Sequence, residues 1–212
     1  MEIKDLIIVG ASGFGREILK YVEDINTINY KWNIKGFIDD NPYAFKGITS
    51  DYPILGSIKD WCPKEKEVFV CALAFPETKK RIVTSLKDKG AIFITLIHPT
   101  VVINKHSHIG EGCVLSPNSV VSDNAFIGDF ATILGSSVAH DAYIGDFTTL
   151  SGRCAINGHV KVGEMVYMGC GVLVAPSKKI GNNATVGIGS VVITNVKAGT
   201  KVFGNPAKKI NI

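Results

Sequence analysis

Apolar residues recur at every sixth position through the second half of the chain: Ile97, Ile103, Ile109, Leu115, Val121, Ile127, Ile133 and Ala139. The series then contracts by one residue and resumes at Ile144, continuing through Leu150, Ile156, Val162, Met168, Val174, Ile180, Val186 and Val192. His140 and Asp141 fall inside the contraction. A period of six matches neither the 3.6 of a helix nor a long run of two-residue strand alternation. It is the signature of a parallel β-helix, in which each hexapeptide supplies one short strand and one corner, and stacked coils bury the recurring aliphatic side chain.

A second pattern supports this fold. Two positions before each apolar residue the chain prefers small or β-branched side chains, such as Cys113, Ser119, Ala125, Ala131, Ser137, Ala142, Thr148 and Cys154. Lys178 breaks the pattern and predicts an external loop or altered corner. Glycine often follows the apolar residue, as in Ile127-Gly128 and Val162-Gly163, where a sharp corner would strain a Cβ.

The remaining 1–96 alternate strand-like and helix-like patterns and predict a small parallel α/β domain, with the β-helix occupying 97–212. An apolar run, Leu6-Ile7-Ile8-Val9, leads into Gly10-Ala11-Ser12-Gly13-Phe14-Gly15, and a helical pattern follows over 16–25. Glycines there allow a ligand to approach the backbone, and a helix start favours phosphate. The spacing is GxxGxG rather than the GxGxxG dinucleotide fingerprint, so a purely structural turn is an equal reading and an NAD-dependent oxidoreductase a poor one. Further strands are predicted over 34–38, 68–73 and 91–96, with a helix over 77–89. The second strand ends in Asp39-Asp40, about where nucleotide folds place an acid on a ribose or base, although Asp-Asp-Asn-Pro is also an ordinary turn.

A formal charge of +4 with scattered basic residues argues against nucleic acid. No uncharged apolar stretch approaches the ~18 residues that suggest a membrane span, and the region around Met1 lacks a signal-peptide layout, so a cytoplasmic protein is expected. Cys62, Cys71, Cys113, Cys154 and Cys170 are odd in number and lack CxxC spacing, which argues against a disulfide framework or structural zinc.

The ordered segments IIVGASGFGRE, FIDD, HPTVVI, AHDAYIGDF, NGHVKVGE and FGNPAKKI resemble, end to end, the bacterial sugar acetyltransferases of the sialic acid O-acetyltransferase type, which include the nucleotide-amino-sugar N-acetyltransferase of bacillosamine synthesis. The resemblance implies a Rossmann-like domain followed by a left-handed β-helix, assembled as a homotrimer with active sites between neighbouring subunits. It implies acetyl-CoA as co-substrate, a nucleotide-linked sugar as acceptor, a place in surface-polysaccharide synthesis, and no metal. Ser12, Gly13, Phe14, Asp39 and Asp40 match positions that hold the nucleotide, and Leu73 stands near a position usually filled by glycine. Gly158, Cys170 and Ile188 match positions along the coenzyme, and Lys208 follows the Gly204-Asn205-Pro206-Ala207 turn near the coenzyme's end. In the GDFTT segment Thr149 replaces a second histidine that contacts the acetyl donor in the bacillosamine-type enzyme, and the match implies that Thr149 lies at the coenzyme, able to donate a hydrogen bond but not to act as an imidazole base.

The same resemblance makes His140 the catalytic histidine. Acetyl transfer from a thioester requires the nucleophile to lose a proton, and an imidazole, ordinarily titrating near ~6.5, is substantially neutral at cellular pH. His140 is expected to act as general base and Asp141 as its orienting partner, with a backbone amide near Gly158 as oxyanion donor. The contraction of the repeat is expected to turn the imidazole out of the regular wall; the segment from Leu134 to Ser137 is also one residue short. His98, His106, His108 and His159 are expected to be structural. An O-acetyltransferase of sialic acid or another surface sugar and a non-enzymatic trimeric scaffold remain alternatives.

Overall fold

The computed structural model describes residues 3–210, which divide into two compact units with the boundary between His98 and Pro99. In the first unit, strands β1 (Lys4–Val9), β2 (Trp32–Ile38), β3 (Ile54–Gly56) and β4 (Glu67–Cys71) form one parallel sheet in the order β3-β2-β1-β4. Leu6, Ile7, Ile8 and Val9 are wholly buried, the continuous apolar run that a parallel strand covered on both faces demands. Helix α1 (Gly13–Ile28) buries Ile18, Val22 and Ile25, spaced to lie on one face, and helix α2 (Pro76–Asp88) buries Ile82, Val83 and Leu86. Pro76 opens α2 at a position whose amide needs no intrahelical partner.

One sequence expectation is corrected here. Of the strand expected over 91–96, residues 91–95 keep a single bridge, between Phe93 and Phe69, flanked by the Phe69 amide donating to Ile92 and the Ile94 amide donating to Phe69, and Leu96 falls in the two-residue strand Leu96–Ile97. The edge strand β3, three residues long, is too short to carry a readable alternation and lies outside the sequence expectations.

The second unit is a β-solenoid. Its strands are two residues long through most of the repeat and stack in parallel sheets. One sheet contains Ser137–Val138, Ala155–Ile156 and Leu173–Val174, another Phe126–Ile127, Tyr143–Ile144 and Lys161–Val162, and a third Thr132–Ile133, Thr149–Leu150 and Tyr167–Met168. In the coils from Val114–Leu115 to Val191–Val192 the second residue of each strand points inward. Leu115, Val121, Ile127, Ile133, Val138, Ile144, Leu150 and Val162 have no accessible surface, and each such burial stabilises the fold by about 1.5–3 kcal/mol.

The register relocates the contraction. Ser137 pairs with Val120, 17 residues earlier, and with Ala155, 18 residues later. The short step therefore lies before residue 137, in the Leu134-Gly135-Ser136 turn, and Val138, not Ala139, is the inward residue of that coil. Ser136, not Ser137, fills the small slot: it is buried, donates to the Ser151 carbonyl and accepts from the Cys154 amide. His140 and Asp141 occupy a regular corner, contrary to the expectation from the repeat. Ala139 misleads because it lies six residues after Ile133 and is itself apolar. Lys178 marks no loop either, since Ile180 pairs with Val162 at the ordinary separation of 18.

Candidate active site

Two positions per coil build the corner that holds His140. Asp123, His140 and Gly158 stack in successive coils, joined by the Asp141 amide donating to the Asp123 carbonyl and the His159 amide to the His140 carbonyl. Asn124, Asp141 and His159 stack at the adjacent position, all with left-handed backbones (φ 56°, 59° and 58°). Asn and Asp tolerate that conformation better than most residues.

Stacking converts sequence separation into side-chain contact. Asn124 donates through Nδ2 to Asp141 Oδ1 at 2.6 Å, and His140 Nδ1 lies 2.8 Å from Asp141 Oδ2. The hydrogen bond from Asn124, then that from His140, holds the Asp141 carboxyl below the usual carboxylate range. A carboxylate accepts only, so His140 donates from Nδ1 and its lone pair sits on Nε2. Gly158 makes room for the ring, because a Cβ there would stand 2.6 Å from His140 Cε1 and 2.8 Å from Nε2. His159, expected to be structural, joins this cluster: its Nε2 is 3.8 Å from Asp141 Oδ2, and its ring meets that of His140 edge-on at 5.3 Å. Asn124 was overlooked. The separations of 17 and 18 residues that connect 124, 141 and 159 are the signal that finds both.

The expected coenzyme residues divide between two corners. Gly158 belongs to the His140 corner, whereas Cys170 and Ile188 stack on another, where the Gly171 amide donates to the Gly152 carbonyl and the Gly189 amide to the Cys170 carbonyl. Cys170 is exposed and Ile188 is 63% exposed. The tail returns beside them: the Val191 amide donates to the Gly204 carbonyl and the Ala207 amide to the Val191 carbonyl, leaving Lys208 exposed. Thr149 differs from expectation. It lies in the sheet between Thr132 and Tyr167 with 0% of its surface accessible.

In the first unit, Ser12, Gly13 and Phe14 form the entry to α1, and Ser12 precedes the helix without capping it through its side chain. Asp39 ties this turn to the end of β2 by accepting from the Ala11 amide at 2.7 Å and, through its other oxygen, from the Asn41 amide at 2.8 Å. Gly15 allows the helix to close on the Gly10 carbonyl, which a Cβ would strike, and Leu73 packs over Gly10. Asp40 faces elsewhere. It accepts from the Lys59 amide and the Ser57 hydroxyl, and these bonds, the backbone one foremost, hold its carboxyl below the usual range.

A parallel α/β unit followed by a solenoid with an acid-oriented histidine at a corner defines a sugar acetyltransferase of the hexapeptide-repeat class. The PglD N-terminal domain family matches residues 5–86, and the GMPPB C-terminal domain family matches residues 93–188. GDP-perosamine N-acetyltransferase of Escherichia coli O157:H7 is 37% identical over 155 residues, 70% of each chain. WeeI from Acinetobacter baumannii AYE is 32% identical with a TM-score of 0.85, covering 97% of this chain and 99% of its own. PerB from Caulobacter crescentus, solved in complex with CoA and GDP-perosamine, shares the fold at a TM-score of 0.86 and 24% identity, over 99% of each chain. The chain belongs to the acetyl-CoA-dependent sugar acetyltransferase family that includes GDP-perosamine N-acetyltransferase. Among the described residues no helix is long and apolar enough to cross a membrane.

Proposed function

We propose that this protein transfers the acetyl group of acetyl-CoA to the amino group of a nucleotide-linked amino sugar, with His140 as general base. The observation that carries this reading is the 2.8 Å contact between His140 Nδ1 and an Asp141 carboxylate already fixed by Asn124. It leaves the Nε2 lone pair free for a proton on a side chain that is 62% exposed. The amine attacks the thioester carbonyl, a C–N bond forms and the C–S bond breaks. The proton lost by the nitrogen passes to His140 Nε2 and on to the departing thiolate, giving an amide and free CoA. Positioned bases of this kind contribute roughly 10²–10⁴-fold. The amide near Gly158 serves the developing oxyanion.

The nucleotide diphosphate is held in the first unit by the Ser12-Gly13-Phe14 helix entry, with Asp39 at the end of β2 shaping the base and ribose side and Asp40 fixing the 57–59 segment beside it. Residues 1–96 thus bind the sugar nucleotide and 97–212 carry the transfer chemistry. Coenzyme contacts fall to Gly158, Cys170, Ile188 and Lys208. A homotrimer explains why Cys170 and Ile188 lie on a different corner from His140: a neighbour's coenzyme corner would face this chain's imidazole corner. The exposed Leu173, Ile188, Ile193 and Phe203 supply apolar surface for such an interface. We place the enzyme in the cytoplasm, in surface-polysaccharide synthesis.

The test is incubation with acetyl-CoA and GDP-, UDP- or dTDP-linked 4-amino sugars. Release of CoA thiol and a product whose acetyl group resists hydroxylamine are expected. A hydroxylamine-labile ester, or no turnover with any amino sugar, would overturn N-acetylation.

A further inference from the structure

We propose that His140, Asp141 and His159 together form a binding site for a borderline transition-metal dication, with Zn²⁺ as the reference ion, and that its occupancy arrests acetyl transfer. The inhibitory half rests on the base assignment above; the site itself does not.

The three side chains offer His140 Nδ1, Asp141 Oδ2 and His159 Nε2, all within 4.8 Å of one another. Two of the separations are 2.8 Å and 3.8 Å. A tetrahedral zinc with bonds of ~2.0–2.1 Å places neighbouring ligand atoms about 3.3 Å apart, so small ring rotations close the site. Two imidazoles and one carboxylate favour zinc, cobalt, nickel or copper over magnesium and calcium. Three protein ligands leave a fourth position for water. Asn124, through Oδ1 of Asp141, orients the carboxylate from outside the ligand set, the role that supporting hydrogen bonds play around metal sites. Both imidazoles are 62% exposed and admit the ion without rearrangement of the coils. His106 and Asp123, in the two preceding coils, provide an internal contrast. They make the same pair at 2.9 Å but belong to no three-ligand group among the described residues.

Binding requires the proton on His140 Nδ1 to leave for Nε2, and the Nδ1 lone pair so freed then ligates the metal. The imidazole that accepted a proton from the sugar amine presents an N–H instead, and Asp141 is diverted to the metal. No oxidation or reduction is involved. His159 has no part in the proton path of the transfer, so it separates the two functions. Asparagine is the suitable replacement because Asn124 and Asn183 hold the same left-handed corner conformation (φ 56° and 58°).

The experiment uses the full chain stripped of metal with EDTA. Calorimetry with Zn²⁺ alone is expected to show one ion per chain, and Co²⁺ is expected to give the intense visible absorption of a four-coordinate site. Acetyl transfer should fall with Zn²⁺ and recover with EDTA. Measured against its own zinc-free rate, His159→Asn should lose the inhibition and weaken Zn²⁺ binding at least tenfold; Asp123→Ala should change neither. Circular dichroism confirms that each variant is folded. No Zn²⁺ or Co²⁺ binding by the wild type, or binding and inhibition that survive His159→Asn unchanged, would overturn the proposal. Because calorimetry and Co²⁺ absorption do not depend on turnover, metal binding without inhibition would count against the base assignment and not against the site.

Discussion

At the scale of single residues, the candidate site is a chain of positioning contacts ending at one nitrogen. Asn124 fixes one oxygen of Asp141, the other oxygen fixes His140 Nδ1, and Gly158 sets how closely the ring lies to the next coil. Gly158 is the sharpest place to test this, since its own backbone is not in the left-handed region that only glycine favours. Gly158→Ala adds one methyl group at 2.6–2.8 Å from the imidazole, so the ring must move. Displacements of about 1 Å from a productive geometry cost roughly 10²-fold in rate. A fall in kcat of about tenfold to a hundredfold is expected, with thermal stability close to wild type. A variant with full kcat would show that the ring position does not matter to transfer.

At the scale of elements, the solenoid was legible because its period is enforced by burial: an inward residue in every strand must be apolar, and that constraint repeats in the sequence. The register was not legible at its one irregularity. Both Val138 and Ala139 are apolar, and only the pairing of Ser137 with Val120 and Ala155 shows which one faces inward. His140-Asp141 was still found, through its motif, while Asn124 and His159 required the stacking separations. Thr149 shows the converse, a position matched by motif but sealed inside the wall. The thiols give a measurement at this scale. Cys113 and Cys154 are buried in the small slots, and Cys71 at the end of β4 is buried so fully that its thiol is pushed up to about 11. Maleimide should label Cys62 and Cys170 and spare the other three in the native protein. Saturating acetyl-CoA, which has no free thiol, should slow Cys170 alone by at least fivefold. Equal labelling of Cys170 with and without acetyl-CoA would remove it from the coenzyme path.

At the scale of the whole molecule, the proposed function divides the work between two units of different architecture. A parallel sheet with a helix entry at its strand ends suits a nucleotide, and a rigid stack of coils suits a base held to within a fraction of an ångström. The coils hold that geometry through repeated backbone hydrogen bonds rather than through any one side chain, so removing the imidazole leaves the corner intact. His140→Ala therefore separates chemistry from architecture. The most direct measurement is kcat for His140→Ala beside acetyl-CoA affinity determined by calorimetry on the same preparation. A loss of at least ~100-fold in kcat, with affinity within threefold of wild type, is the expected result; an unchanged kcat would contradict the assignment of His140 as the base.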